Sequence, residues 1–144
     1  MARIMILPRE ADLPRGPVRD FVELLFWLYQ RAHCPALREI SDEIRKRGNL
    51  RGTASTETIR RMLNGTTVPR RWQIVEAVYL VLCDLAGRHP EDKVSFHGRL
   101  ATIERHMEDV WQNALINPHE RYPEPEPDPW AGDGPGGYSD EPPF

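Results

Sequence analysis

One short segment carries a signal for each end of a helix, and it constrains the fold more than any other stretch. Ser55 is a residue type that caps helix N-termini, and Thr58 stands three residues later, where a capping box prefers Glu or Gln. Gly65 can take the left-handed conformation that closes a helix, and Pro69 prevents the helix from resuming. The sequence therefore predicts a short helix over residues 54–65.

This predicted helix has two unlike faces. Three apolar residues share one face through their spacing of three and four: Ile59, Met62 and Leu63. The opposite face carries short polar groups and two guanidiniums: Thr56, Glu57, Arg60, Arg61 and Asn64. Two interpretations fit the pattern. It is either a DNA recognition helix, whose arginines read guanine, or an ordinary amphipathic surface helix.

The charge of the chain is unevenly distributed. The 144 residues have a net charge of −3, but residues 118–144 hold seven acids and one base, a net charge of −6. Residues 38–71, which contain the short helix, hold nine bases and four acids, a net charge of +5. Local basicity matters more for phosphate binding than the total charge does. The basic window therefore favours the DNA interpretation.

Helical periodicity recurs on both sides of this segment. After an arm at residues 1–16, we expect helices over residues 17–32, 36–47 and 70–86, separated by Gly and Pro stops. The first has a wide apolar face, and the last is apolar nearly all round, so both should form the core. The predicted fold is all-α, a compact bundle of four to five helices with a helix-turn-helix.

A final helix is predicted over residues 91–116, with apolar residues spaced 4, 3, 4, 3, 4: Phe96, Leu100, Ile103, Met107, Val110 and Ala114, widened by Trp111 and Leu115. This helix either packs on its own domain or pairs with a second copy. In a homodimer the interface would be Phe96, Leu100, Ile103, Met107, Val110 and Trp111. The Pro- and Gly-rich acidic residues that follow, 118–144, predict a disordered tail.

Residues 36–85 resemble the helix-turn-helix of the lambda-repressor-like (Xre-type) family. The resemblance rests on Leu37-Arg38-Glu39-Ile40-Ser41, on Met62-Leu63-Asn64-Gly65 and on Val68-Pro69. It is similar to a version common in actinobacterial proteins, with Ser55, Thr58 and Ile59 in the second helix. The resemblance implies an all-α DNA-binding domain at residues 17–90, often dimeric on a two-fold site. The chain departs from the family at residues 48–54, which make a longer turn than usual.

Roles follow for individual side chains. Arg60 and Arg61 are the candidates for reading guanine, and Thr56 stands where the helix would enter the groove deepest. Glu57 either accepts a hydrogen bond from cytosine or favours the positive end of the helix dipole. The candidates for phosphate contacts are Asn64, Arg51, Arg38 and Arg70. Arg71 and Trp72 could clamp the DNA backbone together, although Trp72 fits the core better.

Other function classes find little support in the sequence. The five histidines stand at no metal-ligand spacing, and no nucleophile motif or phosphate-binding loop is present, so we expect neither enzyme activity, metal nor cofactor. The two cysteines predict free thiols. No segment suggests a membrane span, which predicts a cytoplasmic, nucleoid-associated protein. The sequence predicts a transcriptional regulator that binds double-stranded DNA. The alternative is a protein–protein adaptor that binds its partner through the final helix or the acidic tail.

Overall fold

The structure, a computed structural model, describes residues 5–48 and 50–122. In chain order its elements are α1 (Pro17–Arg31), α2 (Leu37–Lys46), α3 (Thr56–Asn64), α4 (Trp72–Leu85), β1 (Lys93–Phe96), β2 (Arg99–Thr102) and α5 (Ile103–Ile116). The first four helices begin and end within two residues of the predicted bounds. A two-stranded antiparallel sheet lies between α4 and α5, so the described chain is mostly helical and the all-α prediction needs correction.

The hairpin occupies a stretch that the apolar spacing assigned to the final helix. β1 and β2 pair with Phe96 opposite Arg99, and the turn consists of His97 and Gly98. These two turn residues have φ angles of 53° and 77°. Positive φ at both central residues is the requirement of a tight type I′ hairpin turn, and right-handed helix excludes it. The prediction of helix over residues 91–102 was therefore wrong.

The final helix begins only after the hairpin. Thr102 caps α5, and its side chain accepts a hydrogen bond from the Arg105 N–H at 3.1 Å. Ile103 and Met107 are fully buried, and α5 packs along α1. α5 thus packs on its own domain, one of the two alternatives left open by the sequence.

The predicted dimer stripe is not one helix face. Phe96 and Leu100 lie on the two strands, whereas Ile103 and Met107 lie in the core. Val110 and Trp111 are half-buried against the rest of the bundle. The stripe therefore offers no continuous surface to a second copy, and a homodimer remains a prediction without an assigned interface.

α1 and α4 form the centre of the core, as their apolar faces predicted. The fully buried large side chains of α1 include Phe21, Leu25 and Leu28, and those of α4 include Tyr79 and Leu82. Burial raises the pKa of the Tyr79 phenol, and nearby carboxylates raise it further. Each of the other helices adds an apolar stripe to this centre.

A buried arginine fixes the N-terminal arm across α1. Arg19 is 7% exposed, and its guanidinium donates hydrogen bonds to the carbonyls of Pro8 and Leu13 at 3.0 and 2.7 Å. The Leu13 side chain in turn contacts the end of α3, since a Cβ at Gly65 would lie 2.7 Å from Leu13 Cδ2. The described part of the arm is therefore part of the packed domain.

The first residues of the predicted disordered tail, 118–122, are part of the folded domain. The Tyr122 N–H donates to the Arg15 carbonyl at 2.9 Å, and its hydroxyl donates to Asp20 Oδ2 at 2.7 Å. Burial raises the Tyr122 pKa to about 12, and the bonded Asp20 carboxylate contributes to the rise. Residues 118–122 thus lie on α1, and the rest of the predicted tail lies outside the described residues.

Candidate nucleic-acid interface

Both end signals of α3 operate as the sequence predicts. Ser55 is the N-cap, and its hydroxyl oxygen accepts a hydrogen bond from the Thr58 N–H at 3.1 Å. Gly65 has the left-handed conformation, with φ of 77°. The Thr66 N–H then donates back to the Arg61 carbonyl at 3.0 Å, which satisfies a helix-end carbonyl. The bounds of α3 are therefore set by local chemistry.

The two faces of α3 are separated as predicted. Ile59, Met62 and Leu63 are at most 1% exposed and hold the helix on the core. Arg60 and Arg61 are exposed on the other side, together with Glu57, and Thr56 is half-exposed at the first turn. The polar face of α3 is thus open to a partner along its length.

One carboxylate holds both arginines of this face. Glu57 Oε1 is 2.5 Å from Arg60 Nη1, and Glu57 Oε2 is 3.2 Å from Arg61 Nε. All three side chains are about half exposed, at 54%, 45% and 55% respectively. Glu57 therefore neutralises one of the two positive charges and holds both guanidiniums on one side of the helix.

Asn64 closes the helix. Its Oδ1 accepts hydrogen bonds from the Thr66 N–H at 2.9 Å and from the Thr66 hydroxyl at 2.5 Å. These two bonds use the side-chain oxygen and leave only the amide nitrogen to contact a phosphate. Asn64 therefore stabilises the turn after α3.

The long connection between α2 and α3 is held at both of its ends. The buried Ser41 hydroxyl on α2 donates to the Ala54 carbonyl at 2.9 Å, just before the α3 N-cap. Gly52 lies against the first turn of α4, because a Cβ there would be 2.2 Å from the Gln73 carbonyl oxygen. The loop is therefore longer than a tight turn, as predicted, yet it is packed against two helices.

Four exposed arginines of the basic window have no acidic partner among residues 5–48 and 50–122: Arg38, Arg51, Arg70 and Arg71. Arg51 precedes Gly52 and so lies beside the start of α4, where Arg70 and Arg71 also stand. α4 has neither a side-chain cap nor an acidic residue in its first turn. Its free N–H groups and these guanidiniums form a positive edge beside α3.

The other bases of the basic window are compensated. Arg45 pairs with Asp42, Lys46 pairs with Glu43, and Arg47 bridges Glu43 to Asp84 of α4. These pairs lie on α2 and at its C-terminal end. The uncompensated positive charge of the window is therefore concentrated around α3 and the start of α4, with Arg38 on α2.

Trp72 packs against the core, which the sequence favoured over a contact with the DNA backbone. It is half-buried, and its ring lies 5.2 Å from the Trp111 ring and 5.7 Å from the Tyr79 ring, between centroids. The Trp111 indole N–H donates to the Pro69 carbonyl at 2.6 Å. This aromatic cluster connects α5 to the loop that carries Arg70.

Comparison with known proteins gave no match among family models, curated proteins or solved structures. The resemblance to lambda-repressor-like proteins therefore stays a prediction from short motifs. None of the helices within the described ranges combines the length and apolar character needed to cross a bilayer.

Proposed function

We propose that this chain is a DNA-binding protein of the helix-turn-helix class and acts as a sequence-specific transcriptional regulator. The observation that carries the proposal is the division of α3. Three fully buried side chains anchor it, while Arg60 and Arg61 project from its open face. A helix held in this way fits the major groove of B-DNA, which is about 12 Å wide and admits one helix.

The arginines supply the base contacts in this mechanism. Arg60 or Arg61 donates two hydrogen bonds to O6 and N7 of a guanine, a contact that gives about 1–3 kcal/mol of discrimination against the wrong base. Thr56 is at the first turn of α3 and contacts a base or phosphate nearest the point of entry. Arg60 and Arg61 are consecutive residues whose guanidiniums both lie at Glu57, so each can reach a different base pair.

Phosphate contacts set the register of α3. Arg51, Arg70 and Arg71 lie together at the start of α4, and Arg38 lies on α2. A helix N-terminus without its own acidic cap attracts a phosphate through its free N–H groups and its dipole. DNA phosphates beside α3 would therefore meet fixed positive charge at the start of α4.

Glu57 contributes to specificity. An exposed ion pair contributes only about 0–1 kcal/mol, so guanine can displace Glu57 from either arginine at little cost. The carboxylate also repels phosphates and weakens binding to DNA of arbitrary sequence. Once free of an arginine, it can accept a hydrogen bond from cytosine N4.

The test is selection of bound duplexes from a random DNA pool, with the full chain and with Arg60→Ala and Arg61→Ala. We expect a defined motif that relaxes at a different base pair in each variant. Arg105→Ala is the matched control. It removes an exposed arginine from the first turn of α5. Backbone hydrogen bonds join this turn to the segment after α4, so Arg105 lies near the C-terminal end of α4, whereas Arg70 precedes its N-terminal end. Its motif should be unchanged.

The same experiment separates this proposal from the adaptor alternative. DNA binding through several phosphates must weaken steeply as the salt concentration rises. Failure to enrich any motif, with weak retention even at low salt, would show that α3 is only a surface helix. A two-fold motif would establish a homodimer on DNA.

A further inference from the structure

Two carboxylates of α1 and an imidazole from the hairpin turn converge at one point that the proposed function does not use. Asp20 and Glu23 stand three residues apart, so both lie on the same side of α1. His97 Nε2 is 3.4 Å from Asp20 Oδ1 and 3.5 Å from Glu23 Oε1. One ligand atom from each residue lies within 4.8 Å of the other two.

These distances fit metal ligands better than hydrogen-bonded partners. An N–H···O hydrogen bond spans about 2.7–3.2 Å, which is shorter than both separations. In a tetrahedral site with bonds of about 2.1 Å, neighbouring ligand atoms are about 3.4 Å apart. The imidazole nitrogen thus stands at ligand-to-ligand distance from both carboxylates at once.

Each carboxylate is oriented by a bond to its second oxygen. The Tyr122 hydroxyl donates to Asp20 Oδ2 at 2.7 Å. The buried Arg19 donates from Nε to Glu23 Oε2 at 2.9 Å, while its Nη1 donates to the carbonyls of Pro8 and Leu13. Such partners fix the orientation of ligating carboxylates in metal sites. They leave Oδ1 and Oε1 directed towards His97.

The hairpin turn presents the imidazole. His97 has a φ of 53° at the first central position of the turn, where Asn, Asp or Gly is usual. Its side chain is 53% exposed, whereas those of Asp20 and Glu23 are 19% and 31% exposed. The three side chains form a shallow site that is open to solvent on one side.

The geometry points to a binding site for a divalent transition-metal ion of the zinc class, held by Asp20 Oδ1, Glu23 Oε1 and His97 Nε2. One nitrogen and two oxygens suit Zn²⁺ or Co²⁺ better than Mg²⁺, which prefers oxygen ligands. Water would complete the coordination on the exposed side. The ion would join α1 directly to the turn of the hairpin, whose strands pack on α5.

The test is titration of Zn²⁺ into the full, metal-stripped chain, followed by calorimetry and by the melting temperature. We expect one ion per chain and a melting temperature that rises with Zn²⁺. Co²⁺ in place of Zn²⁺ should give the visible absorption of a low-coordinate site. Neither measurement depends on DNA, so the result is independent of the proposed function.

His97→Asn is the decisive variant, because Asn is favoured at this turn position and keeps the hairpin while removing the imidazole. Zn²⁺ affinity should fall by at least about tenfold. His33→Asn is the matched control, because His33 is also exposed and has a φ of 67°, but it follows the opposite end of α1. The Zn²⁺ affinity of His33→Asn should equal that of the unchanged chain.

A second variant tests the site without changing the hairpin turn. Glu23→Gln keeps an oxygen for Arg19 and removes the ligand charge, and it should also weaken Zn²⁺ binding and abolish the Co²⁺ band. Absence of binding at about 1 mM free Zn²⁺ would overturn the inference, since structural and catalytic sites bind far more tightly. Equal affinity in His97→Asn and the unchanged chain would overturn it as well.

Discussion

The Trp111 indole N–H donates a hydrogen bond to the Pro69 carbonyl at 2.6 Å, across 42 residues of sequence. It ties the middle of α5 to the loop that leads from α3 to α4. Arg70 follows the bonded carbonyl directly, so α5 holds the backbone next to a side chain of the proposed phosphate edge.

Trp111→Phe should therefore weaken DNA binding without changing which sequence is preferred. Phe keeps an aromatic ring beside Trp72 but leaves the Pro69 carbonyl without its donor, which should lower the free energy of unfolding by about 1 kcal/mol. Affinity should fall equally for all duplexes, as measured by fluorescence anisotropy at a temperature where both proteins are folded.

Trp27→Phe is the control for this substitution. Trp27 is half-buried on α1, and its ring lies under the guanidiniums of Arg31 and Arg88 at 5.6 and 5.3 Å. Its replacement should affect stability without affecting DNA affinity. A relaxed sequence preference in Trp111→Phe would contradict a role confined to the phosphate contacts.

Glu57→Gln should strengthen binding to DNA of arbitrary sequence. The substitution removes the carboxylate that neutralises one charge of the Arg60 and Arg61 pair, so the recognition face gains one net positive charge. The slope of log affinity against log salt should become steeper by about one contact, roughly 0.9. Anisotropy titrations with one non-specific duplex over a range of salt concentrations measure this slope.

Glu91→Gln makes the same charge change at a distance. Glu91 is exposed beyond the C-terminal end of α4, whereas the positive edge lies at its N-terminal end. The slope of log affinity against log salt for Glu91→Gln should match that of the unchanged chain. Equal slopes for Glu57→Gln and the unchanged chain would place α3 away from the DNA.

Gly52→Ala should destabilise the fold through a backbone contact. The added methyl group would lie 2.2 Å from the Gln73 carbonyl oxygen, which belongs to a helix and cannot rotate away. We expect the free energy of unfolding to fall by about 1–3 kcal/mol, the usual cost of overpacking. Denaturant unfolding monitored by circular dichroism measures it.

Gly48→Ala provides the comparison, because no atom of the described residues, its chain neighbours aside, lies within 4 Å of the Cβ it would add. Its effect should stay within about 0.5 kcal/mol, as for most surface substitutions. Similar losses in the two variants would mean that flexibility of the loop, and not its contact with α4, determines the cost.

The two thiols should differ sharply in reactivity at pH 8. Cys83 is fully buried, and burial raises its pKa to about 12. Cys34 is half-exposed. A disulfide reagent should modify one thiol per folded chain quickly and the second only on unfolding. Cys34→Ser should abolish the fast phase, and fast modification of Cys83 in the folded chain would contradict its burial.

The raised pKa of Cys83 also has a defined sign for stability. The folded state prefers the neutral thiol, so this contribution is complete below the unfolded pKa of about 9. It is lost progressively as the pH rises towards the folded value of about 12. Between pH 9 and pH 12 the free energy of unfolding should therefore fall less in Cys83→Ala than in the unchanged chain, when each is compared with its own value at pH 7.

Local chemistry explains why α3 could be predicted and the hairpin could not. The ends of α3 depend on Ser55 and Gly65, which act on their own neighbours. Phe96 and Leu100 are four residues apart, a spacing that suits one helix face and equally suits two paired strands. The decisive signal was His97-Gly98, and His is an uncommon residue at that turn position.

Long-range contacts explain what sequence reasoning missed at the candidate sites. Asp20 meets Tyr122 and His97 only because the hairpin and the segment after α5 both return to α1. No spacing of residues in the sequence predicts these contacts. The exposed arginines could be predicted individually from the sequence. Which of them are paired with a carboxylate, and which are left without one, could be known only from the fold.

The packing of α5 on α1 determines when the chain can finish folding during its synthesis. Ile103, Met107 and Ala114 are buried on α5, which packs against α1, so α1 is fully covered only after α5 has been made. A ribosome-bound chain that ends after α4 would expose this apolar face and be prone to aggregation. α3 would be made early but would be held in a finished domain only after α5 had emerged.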